Sequence, residues 1–147
     1  MFSTLVHFIG ASQLCALQSC LNGEERQYFL SLLSDLENKI LHMPKPYETT
    51  EQGIAALVSL HYFKGDSDWY IVEKDSSEEQ LQAFGYACLN GDKINAEMGY
   101  INIEELIKCN VELDLYWEPT TLRNVIDKRY VTLEEPCDEA YEAADFR

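Results

Sequence analysis

The 147-residue sequence predicts a single α+β domain, in which an N-terminal helical hairpin packs on one face of a mostly antiparallel sheet of about five strands. Apolar residues recur at helical spacing as far as Met43, whereas beyond residue 55 they alternate with polar residues as in strands. Short polar or glycine-containing segments separate the alternating runs, which is typical of turns in an antiparallel sheet. We therefore place one domain at residues 1–130.

The predicted hairpin covers residues 11–43. Ser12 is expected to cap its first helix, which then carries apolar residues at helical spacing: Leu14, Leu17 and Leu21. Asn22 and Gly23 are expected to end this helix, because both residues tolerate the left-handed conformation in which many helices terminate.

The second helix is predicted to begin at Glu24 and Glu25, where negative charge stabilises the positive end of the helix dipole. Pro44 and Pro46 are expected to end it near Met43. Along the helix runs a continuous apolar stripe, which we expect to be buried against the sheet: Phe29, Leu32, Leu33, Leu36 and Ile40.

Residues 55–126 are expected to form the sheet region. Strands are predicted over residues 57–63, 69–74, 83–89, 97–101 and 111–117. Ser76 and Glu79 resemble a capping box and predict one helical turn. Asn102 is expected to cap a short helix, and Thr121 a last helix with Leu122, Val125 and Ile126 on its apolar side.

The charge is strongly acidic, with 11 Lys and Arg against 26 Asp and Glu and a net charge of −15. Residues 60–117 hold 12 of the acids, and residues 131–147 hold 6 and are expected to form a flexible acidic tail. Such a surface repels phosphate backbones, so we expect no direct binding of nucleic acid. No apolar run reaches the roughly 18 residues of a membrane span. The charge instead favours a protein partner with a basic surface.

The five cysteines are odd in number and include no C-x-x-C pair: Cys15, Cys20, Cys88, Cys109 and Cys137. This pattern indicates neither a disulfide framework nor a zinc ribbon. We expect free, mostly buried thiols, no cofactor, and a cytoplasmic protein, because the first ten residues also lack the basic start of a signal peptide.

A series of short motifs runs through the sheet region. They lie at residues 61–63 (HYF), 68–71 (DWYI), 73–75 (EKD), 83–92 (AFGYACLNGD), 96–97 (AE), 99–101 (GYI), 104–106 (EEL), 112–117 (ELDLYW) and 119–122 (PTTL). The series resembles the domain of unknown function 2958 family, whose small members are typically encoded on plasmids, integrative elements and phages, over about residues 43–126. The resemblance implies an accessory protein of a mobile element, and it offers no established activity or catalytic residues.

The candidate partner-binding residues are four tyrosines and two acids: Tyr62, Tyr70, Tyr100, Tyr116, Glu112 and Asp114. Each tyrosine is opposite in phase to its apolar neighbours. If the hairpin covers the face of Phe63, Trp69, Ile71, Ile101, Leu113 and Leu115, the tyrosines stand on the other face with the two acids. Such a face suits protein binding, since tyrosine brings a large contact area. The same tyrosines could also serve only as good strand formers.

An enzymatic alternative uses His61 with a group of carboxylates: Asp66, Asp68, Glu73, Asp75, Glu97 and Asp114. A metal-dependent enzyme needs two or three carboxylates that converge on the ion. The spacing of these acids is more typical of a solvated acidic face, so we assign no catalytic residue and no metal site. We expect a non-enzymatic acidic accessory protein that binds a host or defence protein, in one form as a mimic of nucleic acid; the alternative is a small metal-dependent enzyme.

Overall fold

The computed structural model describes residues 2–131, with side chains described as far as residue 127. It has the predicted α+β arrangement of N-terminal helices and a five-stranded antiparallel sheet. The α-helices are α1 (Ala11–Cys20), α2 (Arg26–Leu41), α3 (Ile103–Lys108) and α4 (Leu122–Val131). The strands are β1 (Leu57–Val58), β2 (Leu60–Lys64), β3 (Ser67–Glu73), β4 (Ala83–Cys88), β5 (Glu97–Ile101), β6 (Glu112–Leu113) and β7 (Thr120–Thr121).

The main sheet has the strand order β5-β4-β3-β2-β6, and β1 pairs with β7 in a separate two-stranded sheet. The strand predicted over residues 57–63 is therefore divided at Ser59, whose backbone N–H donates to the carbonyl of Ile71 at 2.9 Å. This division lets β1 reach β7 while β2 remains between β3 and β6.

The strand predicted over residues 111–117 is much shorter, because the chain turns at Asp114. The Asp114 side chain accepts a hydrogen bond from the N–H of Tyr116 at 3.1 Å, and its carbonyl accepts one from the N–H of Trp117 at 3.3 Å. A side-chain bond of this kind replaces a ladder bond with a turn. Only Glu112–Leu113 therefore pair with β2.

The core has two parts, one on each face of the main sheet. The first lies under the helical hairpin and includes Leu33, Leu36 and Ile40 of the predicted stripe, with Phe29 packed at its margin and Leu32 half-buried. The N-terminal segment also contributes buried residues to it: Leu5, Phe8 and Ile9. The hairpin therefore packs on the sheet as predicted.

The second part of the core lies under α4, on the sheet face opposite the helical hairpin. The sequence had predicted exposed tyrosines on this face. Leu122, Val125 and Ile126 are buried there with side chains of β1, β3 and β4: Val58, Tyr70, Val72 and Tyr86. The apolar side predicted for the last helix is thus confirmed, and the sheet is covered on both faces.

The predicted helix ends are partly right. Asn102 caps α3 by accepting the N–H of Glu105, and Thr121 accepts the N–H of Asn124 at the start of α4. The prediction for Ser12 is wrong, since Gly10 is the N-cap and the helix begins at Ala11.

The helical turn predicted at residues 76–79 is also wrong. The Asp75 carboxylate accepts hydrogen bonds from the N–H groups of Ser77, Leu81 and Gln82, and these bonds hold the segment in non-helical turns. Asp75 therefore organises a loop here.

The thiols depart from the expectation that most are buried. Cys88 is fully buried as predicted, whereas Cys15 and Cys109 are exposed and Cys20 is half-buried; all four are free thiols. Cys137 and the predicted acidic tail lie outside the described residues. None of the helices in residues 2–131 combines the length and hydrophobicity needed to cross a membrane.

Candidate functional site

The predicted tyrosine face does not form, because the register of the β2–β3 hairpin differs from the assumed one. Tyr62 is opposite Trp69, and Phe63 is opposite Asp68. Tyr62 therefore lies with Trp69 on the sheet face that the helical hairpin covers, and Phe63 lies on the other sheet face. The two-residue turn at Gly65 and Asp66 sets this pairing.

Tyr62 and Tyr70 are wrong as surface residues. Tyr62 is fully buried, and its hydroxyl donates to the carbonyl of Phe8. Burial raises the pKa of this phenol well above its usual value. Tyr70 is on the opposite face, but only 7% of it is exposed because α4 and Trp117 cover it.

Tyr100 and Tyr116 are exposed as predicted, at 59% and 62%, but they lie at opposite edges of the sheet. Tyr100 is on β5, and Tyr116 is in the turn that follows β6. Of the two predicted acids, Glu112 is exposed whereas Asp114 is half-buried. The six candidate residues therefore do not make one continuous surface.

The half-buried Asp114 belongs to a cluster centred on His61. The Nδ1 atom of His61 lies 3.0 Å from Asp114, and Nε2 lies 2.8 Å from Asp68. The imidazole stacks on Tyr70, with ring centroids 4.8 Å apart, and contacts Trp117 at 5.0 Å. The ring is thus held by a carboxylate at each nitrogen and by aromatic rings beside it.

The two carboxylates favour the charged form of His61. Burial alone lowers the pKa of His61, but the hydrogen bonds and negative charges of Asp68 and Asp114 together raise it above its usual value. Each nitrogen can then donate to one carboxylate. The cluster joins β2, β3 and the turn after β6 through one imidazolium.

The other carboxylates of the enzymatic alternative do not join His61. Asp66 and Glu97 are exposed, Asp75 organises its own loop, and Glu73 accepts hydrogen bonds from Tyr47 and Thr49. Within residues 2–131, no group of three or more His, Cys, Asp or Glu side chains is placed to hold a metal ion. The cluster therefore consists of two half-buried ion pairs that share the imidazole of His61.

A second acidic site surrounds Tyr116 and involves residues that the sequence analysis missed. The side chain of Tyr28 on α2 interacts with Tyr116 and raises the pKa of Tyr116, and the charge of Glu25 acts in the same direction. Both tyrosines are more than half exposed. In the sequence, the polar face of α2 was the feature that could have indicated these residues. Only the fold shows that the turn after β6 packs against that face.

Lys39 of α2 lies among further acids beside this pair. Burial lowers the pKa of Lys39, and the carboxylates of Asp114, Asp35 and Glu118 act against that effect. Its Nζ donates to the carbonyl of Trp117 at 2.9 Å and so holds the turn against α2. We call the exposed part of this region the acidic tyrosine surface: Tyr28, Tyr116, Glu25, Asp35 and Glu118.

Comparison with family models, curated proteins and solved structures finds no match for this chain. The resemblance to the domain of unknown function 2958 family therefore stays a prediction.

Proposed function

We propose that this protein is a non-enzymatic, cytoplasmic accessory factor of a mobile element that binds a host or defence protein. The acidic tyrosine surface is the binding site, and its partner has a basic surface. Imitation of nucleic acid is one form of this function. The observation that carries the proposal is the pair of exposed, interacting tyrosines, Tyr28 and Tyr116, among exposed acids.

The tyrosine pair supports binding because it offers a large exposed contact area. Tyr28 and Tyr116 come from different elements, and their side chains interact with each other. Tyrosine is enriched among the residues that contribute most to protein interfaces, where restricted side chains lose little entropy on binding. The pair can therefore anchor a partner.

The charges support a basic partner. Glu25, Asp35 and Glu118 are exposed, and none of them forms an ion pair within residues 2–131. Charge complementarity across an interface speeds association and selects the partner. A positive surface would thus find three exposed acids here, although Lys39 offsets part of the charge of Asp35 and Glu118.

The turn that carries Tyr116 is fixed in place, which also favours recognition. Lys39 donates to the Trp117 carbonyl, and the Trp117 indole N–H donates to the carbonyl of Val58 at 3.0 Å. His61 binds Asp114 two residues before Tyr116. A surface already ordered in the free protein avoids the entropy cost of ordering on binding.

The test begins with capture of partners from a host lysate, followed by affinity measurements on the protein identified. The variant E25K/D35K should weaken binding at least about tenfold, which is about 1.4 kcal/mol, and Tyr116→Ala should do likewise. The matched control is E78K/E79K, which changes net charge equally at two exposed acids elsewhere. Added salt should weaken wild-type binding.

Equal losses from the two double variants would contradict the proposal, because they would indicate diffuse electrostatic attraction. Tighter binding by E25K/D35K would also contradict it, since the partner would then be acidic. Circular dichroism checks that each variant keeps its fold; the substituted side chains are exposed, so we expect no change.

A further inference from the structure

A separate cavity of about 260 Å³ lies between the segment that follows α2 and the β4–β5 edge of the sheet. Six described residues line it: Pro46, Tyr47, Thr50, Glu73, Phe84 and Tyr100. Three of them are aromatic, one is acidic and none is basic. The volume lies just below the roughly 300–1,000 Å³ of sites for drug-sized molecules, so the cavity suits a small chemical group.

The carboxylate at this cavity belongs to Glu73, of which only 2% is exposed. One oxygen accepts the N–H of Tyr47 at 3.0 Å, and the other accepts the N–H of Thr49 at 3.0 Å and the Thr49 hydroxyl. Hydrogen bonds donated to a carboxylate favour its ionised form. The cavity therefore has an acidic group, held by three donors, in a mostly apolar lining.

The aromatic residues are held together at the cavity. The hydroxyl groups of Tyr47 and Tyr100 are 2.7 Å apart and share a hydrogen bond. Phe84 packs against Tyr100 edge to face, with ring centroids 5.7 Å apart. Tyr47 has a positive φ of 69°, a conformation that the Glu73 bond to its N–H helps to maintain. The site is thus built from three strands and the segment that follows α2 before any ligand arrives.

From this combination we propose that the cavity binds a trimethylammonium group. Aromatic rings attract cations through their negative faces, and quaternary ammonium groups are bound in aromatic cages of this kind. The Glu73 charge adds to that attraction. This inference does not depend on the acidic tyrosine surface, which lies at the other edge of the sheet.

The hydrogen bonds of Glu73 favour a quaternary cation over an ordinary lysine. An unmodified lysine ammonium is strongly hydrated and needs acceptors for three N–H groups. The Glu73 oxygens already accept three hydrogen bonds, and the rest of the lining is mostly apolar. A trimethylammonium group donates no hydrogen bond and needs only a negative potential and apolar contact.

The test is a titration of the whole protein with small ligands, in which two-dimensional NMR spectra monitor binding. The probes are choline, its uncharged tert-butyl analogue, trimethyllysine amide and lysine amide. We expect choline to shift signals of the lining residues and to bind at least about tenfold more tightly than its uncharged analogue. Trimethyllysine amide should likewise bind more tightly than lysine amide, and the tighter of the two quaternary probes identifies the source of the group.

Three variants test the location of the site. Tyr100→Leu keeps apolar volume but removes the ring, and it should lower choline affinity at least about tenfold. Tyr116→Leu removes an equally exposed tyrosine outside the cavity and should leave choline affinity unchanged. Glu73→Gln should weaken choline more than the uncharged analogue, but it also alters the Thr49 contacts, so the ring variants decide the outcome if it fails to fold.

Equal binding of choline and its uncharged analogue would overturn the proposal, because the cavity would then be only an apolar pocket. Equal loss of choline in both tyrosine variants, or no shift in the wild type at any choline concentration, would do the same. The choline titration tests the cavity through Tyr100, whereas the partner affinity tests the acidic tyrosine surface through Tyr116→Ala, so a failure here and a failure of the proposed function give different results.

Discussion

His61 is the centre of a half-buried polar cluster on the main sheet. Its two nitrogens face Asp68 and Asp114, and those carboxylates outweigh the effect of burial, so that the pKa of His61 is raised. Breaking one partner of such a set leaves the other charges half-buried without compensation. The cluster should therefore be visible in how stability depends on pH.

The first prediction is that His61 stabilises the fold at low pH more than at high pH. Since the folded-state pKa is raised above the usual 6.5, its contribution is complete below pH 6.5 and is lost as pH rises through the folded-state pKa. The free energy of unfolding, from urea titrations across this range, should fall by about 1–3 kcal/mol.

The variant His61→Gln should be less stable and should lose this fall with pH. His42→Gln is the matched control, because His42 is exposed and bonds only a backbone carbonyl of its own helix. If both variants keep the wild-type dependence of stability on pH, the interactions of His61 with Asp68 and Asp114 make no measurable contribution to the free energy of unfolding.

The second prediction concerns two glycines that face each other on β4 and β5. A Cβ at Gly85 would lie 2.0 Å from the carbonyl oxygen of Tyr70, whereas one at Gly99 would meet no atom within 4 Å. The close approach accompanies the irregular pairing of β3 with β4 between Ile71 and Glu73. Gly85→Ala should cost about 3 kcal/mol or more, and Gly99→Ala close to nothing.

Thermal and urea unfolding of the two variants checks this difference. A Gly85→Ala protein as stable as Gly99→Ala would mean that β3 and β4 separate more easily than their backbone contact indicates.

At the scale of elements, α1 completes the edge of the sheet through one side chain. The Gln13 amide donates to the Leu113 carbonyl at 2.8 Å, and its oxygen accepts the Leu113 N–H at 3.0 Å. This pair of bonds imitates the ladder of another strand. It provides hydrogen-bond partners for the backbone N–H and carbonyl of Leu113 at the edge strand β6. Unpaired backbone groups at such an edge would otherwise favour association with a strand of another molecule.

The third prediction is that Gln13→Ala destabilises the protein by about 1–2 kcal/mol, because two backbone groups of Leu113 lose their partner. Gln18→Ala, at an exposed position of the same helix, should change stability little. Urea unfolding of both variants measures the difference. Equal stabilities would show that water replaces the Gln13 amide without loss.

How far the sequence predicts the elements depends on whether local chemistry decides them. The strand at residues 97–101 and the caps at Asn102 and Thr121 were predicted correctly, because periodicity and capping are local. The predicted strand at 111–117 was wrong beyond Leu113, since the Asp114 side chain competes with the ladder. That competition depends on the distant partner His61 as well.

The candidate site was less predictable, because it depends on register and on contacts between distant elements. Tyr62 is buried since a two-residue turn pairs it with Trp69. Tyr28 was missed because nothing local to α2 shows that the turn carrying Tyr116 packs beside it. Tyr100 was assigned correctly to the surface, but Glu73 and Tyr47, which share its cavity, become neighbours only in the fold.

At the scale of the whole molecule, both faces of the sheet are covered, and this determines which cysteine thiols are accessible to reagents. Cys88 is fully buried on β4, whereas Cys15 and Cys109 are exposed at helix surfaces and ends. Reactivity of a thiol requires access as well as ionisation. Alkylation should therefore report on the integrity of the fold.

The fourth prediction is that Cys15 and Cys109 are alkylated quickly in the native protein, whereas Cys88 reacts only as fast as the protein unfolds. Peptide mass spectrometry after timed alkylation without reductant distinguishes the sites and tests for the free thiols that we expect throughout. Rapid native labelling of Cys88 would contradict its burial, and a Cys88–Cys109 disulfide would contradict the proposed compartment.

The net charge of −15 is also a property of the whole molecule, and it should oppose folding. Few opposite charges offset it. One of the ion pairs that do so joins Lys108 to Glu104, on the exposed surface of α3. Bringing the remaining acids together in the folded state therefore raises their mutual repulsion.

The fifth prediction is that salt stabilises the protein. Raising ionic strength from low salt to about 0.1 M shortens the screening length to about 10 Å, less than the distance across the domain. The melting temperature should therefore rise with added NaCl, and equally with KCl, which controls for specific effects of the cation. The variant E78Q/E79Q/E112Q, which removes three exposed negative charges, should melt at a higher temperature in low salt and gain less from NaCl. A wild-type melting temperature that stays constant or falls with NaCl would mean that the acids do not oppose folding. The high negative charge would then carry no cost in stability, and it would give no reason to expect a basic partner.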